Sequence, residues 1–397
     1  MPKNKKPARK APPPPAPDRT DELIEDLAVL AAEVVEEAVA GAVPPKMDEL
    51  QKMIRNALRK KQDEVLYGAI EHASYENPGA YVLLRGEIEE AAAAIVLRAE
   101  NKPAEEIDAF LVPVFVNSVG GLRREEAFAD PAGFELLRAS FQAAGLESAA
   151  ATVVLISHLY GINEIDALSY CEVNEMLREV AATMGGKHAP MPMLEGSIGM
   201  LETPHAPEDE VTELRFLLGF VRRRVDDPAY AIPADEAGSD AWFEARLDRY
   251  RAWTAAADGL LRACVAADPS RVTLNFLFQN QFFAAKRQAM AEADLLSLMA
   301  ELGEVFDQHE LEPEQCSAVV GPVARDVDIA LRVALYRNGD AAPLATVELP
   351  YDLGDDLDEE IDALCDILHN LGMASLSTTG HFGADGQPEQ LEAWSPD

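Results

Sequence analysis

The chain is poor in the features that announce chemistry. Its four cysteines, Cys171, Cys264, Cys316 and Cys365, form no Cys-x-x-Cys pair and have no histidine at ligand spacing. That excludes a zinc ribbon or a dithiol motif and predicts four reduced thiols in a cytosol. The longest apolar stretch, "AAATVVLISHLYGI", is 14 residues and contains His158, too short for a bilayer span of about 20 residues, so no membrane partner is expected. The basic N-terminus runs into Ala-Pro repeats instead of the apolar segment of an export signal. No Gly-x-Gly-x-x-Gly occurs, "MGGKHAP" lacks the strand and first glycine of a phosphate loop, and "EGSIGM" surrounds Ser197 with loop residues instead of a strand–helix elbow. No cofactor and no metal site are expected. Lysine stops at Lys286, and residues 301–397 set 22 acidic side chains against Arg325, Arg332 and Arg337.

What the chain has in excess is negative charge: 70 acidic against 34 basic residues in 397, a formal −36. Residues 1–19 oppose this with six basic and one acidic side chain, net +5, so the remainder carries −41. A body of that charge repels polyanions, which makes nucleic acid an unlikely partner. Lys3, Lys5, Lys6, Arg9 and Lys10 are the candidate partner-binding residues of this arm, through salt-sensitive contacts with acidic surface on the body or on a second copy. The partner class expected is therefore an unidentified protein or the chain itself. Two further basic groups stand out, "KMIRNALRKK" and the arginines of "VRRRVDD"; either could meet phosphate, and pairing with the chain's own carboxylates is the simpler expectation.

Punctuation divides the chain as follows. Residues 1–19 read as a disordered Pro-rich arm. Residues 20–105 read as a helical domain, in which Leu23, Leu27, Leu30 and Val34 make one stripe and Asn77-Pro78-Gly79 separates two later helices. From there strands alternate with helices: a first α/β half over 106–235, a connecting long helix over 236–270, a second α/β half over 271–383 and a tail over 384–397. "ATVVLIS" is continuously apolar, as strands covered on both faces are, and a helix through Ile165, Leu168, Met176, Val180 and Met184 follows it. "VDIALRVALY", Asn338-Gly339 and "LATVEL" predict an antiparallel hairpin. The fold class is α+β: an N-terminal helical domain followed by two similar mixed α/β halves. Sliding 134–155 by 165 positions aligns Leu137 with Leu302, Phe141 with Phe306, Leu146 with Leu311, Glu147 with Glu312 and Val154 with Val319. These five identities raise an internal duplication as the alternative to two unrelated units sharing apolar spacing.

Candidate catalytic residues are few. Asp326 and Asp328 share a face at a strand start, where two carboxylates could work together, although charged strand edges are ordinary. His381 in "STTGHFG" is a base candidate without an identified partner. The acid-rich stretch from Asp352 to Asp366 crowds a helix start, where the dipole favours anions. "DEVLYGAIEHA", "FLVPVFVNSVGG" and "ELRFLLGFVRRRVDDP" resemble segments of an uncharacterised betaproteobacterial family, a domain of unknown function, over about residues 46–382. The resemblance implies a bacterial cytosolic protein and no activity, cofactor or catalytic residue. The expectation is a non-enzymatic interaction or regulatory protein, with a hydrolase or transferase whose site lies between the two α/β halves as the alternative.

Overall fold

The computed structural model describes residues 19–39, 46–119 except 99 and 102, 131–183, 210–325 except 267, and 329–396 except 374. The chain divides into two compact units, Met1–Ile88 and Glu89–Asp397.

The first unit is helical: α1 (Arg19–Val39), α2 (Met47–Arg59), α3 (Asp63–Glu76) and the start of α4 (Pro78–Ala93). Leu27, Leu30 and Val34 of α1, Leu50, Ile54 and Leu58 of α2, Leu66 and Ala69 of α3, and Leu84 and Ile88 of α4 are buried. The three- and four-residue steps put each set on one helix face. Burying such side chains stabilises by about 1.5–3 kcal/mol each. Pro78 opens α4, where its missing N–H costs nothing.

The second unit opens with a correction. "AAAAIVLRA" continues the helical reading of 46–100, yet the helix stops at Ala93 and β1 (Ala94–Leu97) pairs antiparallel with β2 (Glu105–Val119). Next come α5 (Pro131–Ala143), β3 (Thr152–Gly161), α6 (Ile162–Asp166), α7 (Tyr170–Thr183), β4 (Glu210–Arg224), α8 (Glu236–Val265), β5 (Val272–Phe276), β6 (Asn280–Gln281) and α9 (Phe282–His309). The helix expected through Ile165 and Val180 is therefore broken in two. The six strands form one sheet in the order β1-β2-β4-β3, and β6 and β5 also pair with β2. β2 and β4 run together for their full length, from Glu105↔Arg224 to Val119↔Glu210.

All these pairings are antiparallel, although the apolar strands are buried on both faces in the way expected of a parallel sheet. The cause is helix cover on each side. On one face α5 and α8 pack Leu137, Phe141, Tyr250, Trp253 and Ala257 against Phe110, Val112 and Val114 of β2 and Leu217 and Val221 of β4. α7 and α9 pack against β2 as well. Gly219 sits opposite Phe110, and a Cβ there would lie 2.2 Å from the Phe110 Cζ, so the ring lies across the glycine.

α9 continues to the second sheet, built from β7 (Cys316–Ala324), β8 (Ile329–Arg337), β9 (Ala345–Pro350), β10 (Ser375–Thr378) and β13 (Glu392–Ala393) in the order β13-β10-β7-β8-β9. The expected hairpin is present as β8 and β9, and Gly339 takes the left-handed conformation at φ +90°. α10 (Leu357–Asn370) crosses between β9 and β10, which is parallel to β7. Asp356 caps α10, accepting from the Asp358 and Glu359 N–H groups, and Gly372 follows at φ +106°. Leu298, Leu302 and Phe306 of α9 and Ile361, Leu364 and Leu368 of α10 fill one face of this sheet. A two-stranded ribbon, β11 (His381–Phe382) with β12 (Pro388–Glu389), lies against β7 and places Phe382 over Val319 and Ala334 of the other face.

The 165-residue offset finds a real local likeness. Gly145 (φ +71°) and Glu310 (φ +53°) end α5 and α9 in the same left-handed conformation, and the N–H groups of Leu146 and Leu311 donate to the carbonyls of Phe141 and Phe306 at 2.9 and 3.0 Å. The topology gives a duplication no support: β2 and β3 share one sheet, whereas β5 belongs to the first sheet and β7 to the second.

Candidate functional site

The face of the first sheet that packs on α5 and α8 is apolar along most of its length and charged at one end. Alternation carries it from Phe110 back to Asp108 and Glu106 on β2, and from Val221 on to Arg223 on β4. The buried stripe of α8, Trp253 and Tyr250, extends one turn further to Arg246. The turn after α5 adds Glu147, the segment after β4 adds Tyr230, and the link between β5 and β6 adds Gln279.

Arg223 Nη2 lies 2.6 Å from Asp108 Oδ2 and 3.3 Å from Glu106 Oε2, and its guanidinium sits 4.3 Å from the centre of the Tyr230 ring. The Tyr230 hydroxyl donates to Glu147 Oε2 at 2.6 Å and accepts from the Ser148 N–H at 3.0 Å. Gln279 Nε2 donates to Glu147 Oε1 at 3.3 Å, and Arg246 holds the Leu146 carbonyl at 3.0 Å with Glu147 Oε1 3.8 Å away. Asp108, Glu147 and Gln279 are buried.

Burial pushes the Asp108 carboxyl up to about 7; Arg223 opposes this, and Glu106, Glu147 and Glu90 add to it. Burial, then the facing Glu147 carboxylate, holds the Tyr230 phenol above its ordinary range, so it remains a donor. Burial lowers Arg246, and Glu147 counters that. Near neutrality the cluster can therefore exchange one proton at Asp108, while its arginines hold carboxylates in place.

A second constellation marks the far end of β4. Between Leu155 and Leu159 the register of β3 against β4 shifts, placing His158 in a bulge. His158 Nε2 lies 3.7 Å from Glu164 Oε2, which accepts from the Gly161 N–H at 2.7 Å, and Arg215 holds Glu213 at 2.6 Å.

The residues singled out from sequence fare differently. Asp326, Asp328, Lys3, Lys5, Lys6, Arg9 and Lys10 lie outside the described residues, as do "MGGKHAP" and "EGSIGM". His381 pairs with Glu389 at 3.3 Å with both side chains more than half exposed, an ion pair of little energetic weight. The three arginines of "VRRRVDD" pair with the chain's own carboxylates: Arg222 with Glu105, Arg223 with Asp108 and Glu106, and Arg224 with Asp226. The arginines of "KMIRNALRKK" do not; Arg55 and Arg59 bond the neutral amides of Gln51 and Asn56. Sequence reading missed Asp108, Glu147, Tyr230 and Arg246. For Asp108 and Arg246 the available signal was charge at the end of an apolar stripe, two residues from Phe110 and four from Tyr250; Glu147 and Tyr230 carry no such signal.

Among the described residues no group of three or more His, Cys, Asp or Glu is placed to hold a metal ion, and no helix is long and apolar enough to cross a membrane. The chain matches the family described as "Protein of unknown function (DUF2863)" over residues 45–344. It belongs to that family. The DUF2863 match takes in the whole charged cluster and stops short of α10. No curated protein and no solved structure matches the chain.

Proposed function

We propose that this DUF2863 member is a non-enzymatic interaction or regulatory protein of a bacterial cytosol. The supporting observation is that its buried and half-buried polar groups are turned on one another: Arg223 on Asp108 and Glu106, Tyr230 and Gln279 on Glu147. A network of this kind fixes β2, β4, α8 and the intervening turns in one arrangement, which suits a rigid scaffold that presents surfaces. The second reading, a hydrolase or transferase, is favoured by Asp108, whose proton exchanges near pH 7.

Mild affinity purification of the tagged protein from its native cell tests the choice. The expected result is a near-stoichiometric protein partner or a second copy, retained equally by wild type and Asp108→Asn. Turnover of ester, phosphate or glycosyl probes that falls about 100-fold or more in Asp108→Asn would overturn it, since that is the loss of a general acid or base.

A further inference from the structure

We propose that the cationic face of α2 docks against the acidic face of α10 of a second copy of the chain; this rests on the reading of an interaction protein given above. α2 buries Leu50, Ile54, Ala57 and Leu58 and exposes Lys52, Arg55 and Arg59 on the opposite side. Among the described residues these three cations form no ion pair with a carboxylate; the arginines are held only by Gln51 and Asn56. In a chain with twice as many acids as bases, an exposed helix face of this sign is an electrostatic exception that calls for an anion.

α10 carries the complement. Glu359, Asp362 and Asp366 are exposed and follow one another at steps of three and four, the same steps as Lys52, Arg55 and Arg59. Each triplet spans about 10 Å at 1.5 Å per residue. Among the described residues Glu359, Asp362 and Asp366 form no ion pair; Asp362 accepts from the Trp394 indole N–H at 3.1 Å, and Arg325 and Arg332 are both bound to Glu348. Beside it, desolvation and then Asp355 and Glu359 hold the Glu360 carboxyl above its ordinary range, a sign of uncompensated negative charge. A nucleic-acid duplex fits the α2 face less well, because it would carry further phosphates along an acidic body. A second copy brings a short acidic helix whose charge spacing matches.

The proposal predicts a particular salt dependence. At about 0.01 M salt, charges interact over about 30 Å and the two acidic bodies repel; at about 0.15 M this range falls to about 8 Å and the local contacts survive; at about 1 M it is about 3 Å and they too are lost. Sedimentation velocity of the full chain should therefore show self-association strongest near 0.15 M and weaker at either extreme. K52E/R55E/R59E should lower the association constant about tenfold or more, and so should E359K/D362K/D366K. Both sets are exposed, and unchanged circular dichroism confirms that the variants fold. Mixing the two variants brings an acidic α2 face to a basic α10 face and should restore association. Failure of the mixture to associate, or equal association of wild type and K52E/R55E/R59E, overturns the proposal. Binding of a labelled DNA duplex at 0.15 M that K52E/R55E/R59E abolishes would overturn it in favour of a phosphate-binding face. A stoichiometric partner recovered from cells by both K52E/R55E/R59E and wild type would leave the interaction reading standing while this surface fails.

Discussion

Asp108 makes the stability of the second unit depend on pH in an unusual sense. Its carboxyl is raised from an ordinary 3.8 to about 7 by burial, so the folded chain keeps a proton that the unfolded chain releases. The associated stability is fully present below about pH 4 and is lost as pH rises through 7; over the intervening range the slope is about 1.4 kcal/mol per pH unit. Integrated from pH 5 to pH 8 this comes to about 3 kcal/mol. Asp108→Asn is neutral at every pH and keeps Arg223 beside Glu106, which lies 3.3 Å from it. Trp253, fully buried in the same core and 4.6 Å from Phe141, is the reporter once Trp242 and Trp394 are replaced by phenylalanine. Urea unfolding of both proteins across that range isolates Asp108 together with the carboxylates coupled to it, since groups away from the cluster titrate alike in the two. The variant should gain on the wild type by about 3 kcal/mol between pH 5 and pH 8. Parallel pH profiles would refute the raised carboxyl.

Gly321→Ala should destabilise by about 1–3 kcal/mol, because the new Cβ would lie 2.5 Å from the Thr379 carbonyl oxygen, a backbone atom that cannot rotate away; an unchanged melting temperature would count against that close approach. Cys171, Cys316 and Cys365 are buried and form no disulfide, and burial followed by Asp362 and Asp366 pushes the Cys365 thiol up to about 12. All three should react with a thiol reagent only at the rate of unfolding, and rapid labelling of Cys365 in the native state would sink this. The Cys264 side chain lies outside the described residues, and the expectation that it too is reduced is checked by a denaturation midpoint that does not move with dithiothreitol. Deleting residues 1–19 should leave the melting temperature nearly unchanged, since exposed ion pairs contribute only about 0–1 kcal/mol; a clear drop would show that the arm is part of the fold.

Local signals were legible and long-range ones were not. The stripes of α1, α2 and α10, the stop at Gly372 and the β8–β9 hairpin all follow from spacing within a few residues. β1 escaped notice because "AAAAIVLRA" suits a helix equally well, and only its partner Glu105–Asp108 makes it a strand. Strand direction was not legible for a related reason: apolar residues on both sides of β2 report cover by helices and are silent on whether its neighbours run parallel. The charged cluster depends on still longer separations. Arg223 finds Asp108 because β2 and β4 pair across a span of more than a hundred residues, and Tyr230 reaches back to Glu147 over 83. No window on the sequence holds both members of either pair.

The distribution of cations ties these observations together. In a chain of −36 each basic side chain has a surplus of possible partners, and the second unit uses its arginines accordingly: Arg222, Arg223 and Arg224 close one end of the first sheet, Arg287 binds Glu89, and Arg325 and Arg332 share Glu348. Pairing of this kind follows from topology, since antiparallel register sets Glu106 directly opposite Arg223 and brings Glu105 diagonally beside Arg222. Among the described residues α2 has no such neighbour across from Lys52, Arg55 and Arg59, because the face it buries is the apolar one. The same composition therefore produces neutralised arginines where strands pair and an exposed positive face where a helix packs on one side. Negative charge left over in the second unit collects where no strand supplies an arginine, at the start of α10. Whether a given charge is internal scaffold or available surface is decided by the secondary structure that carries it.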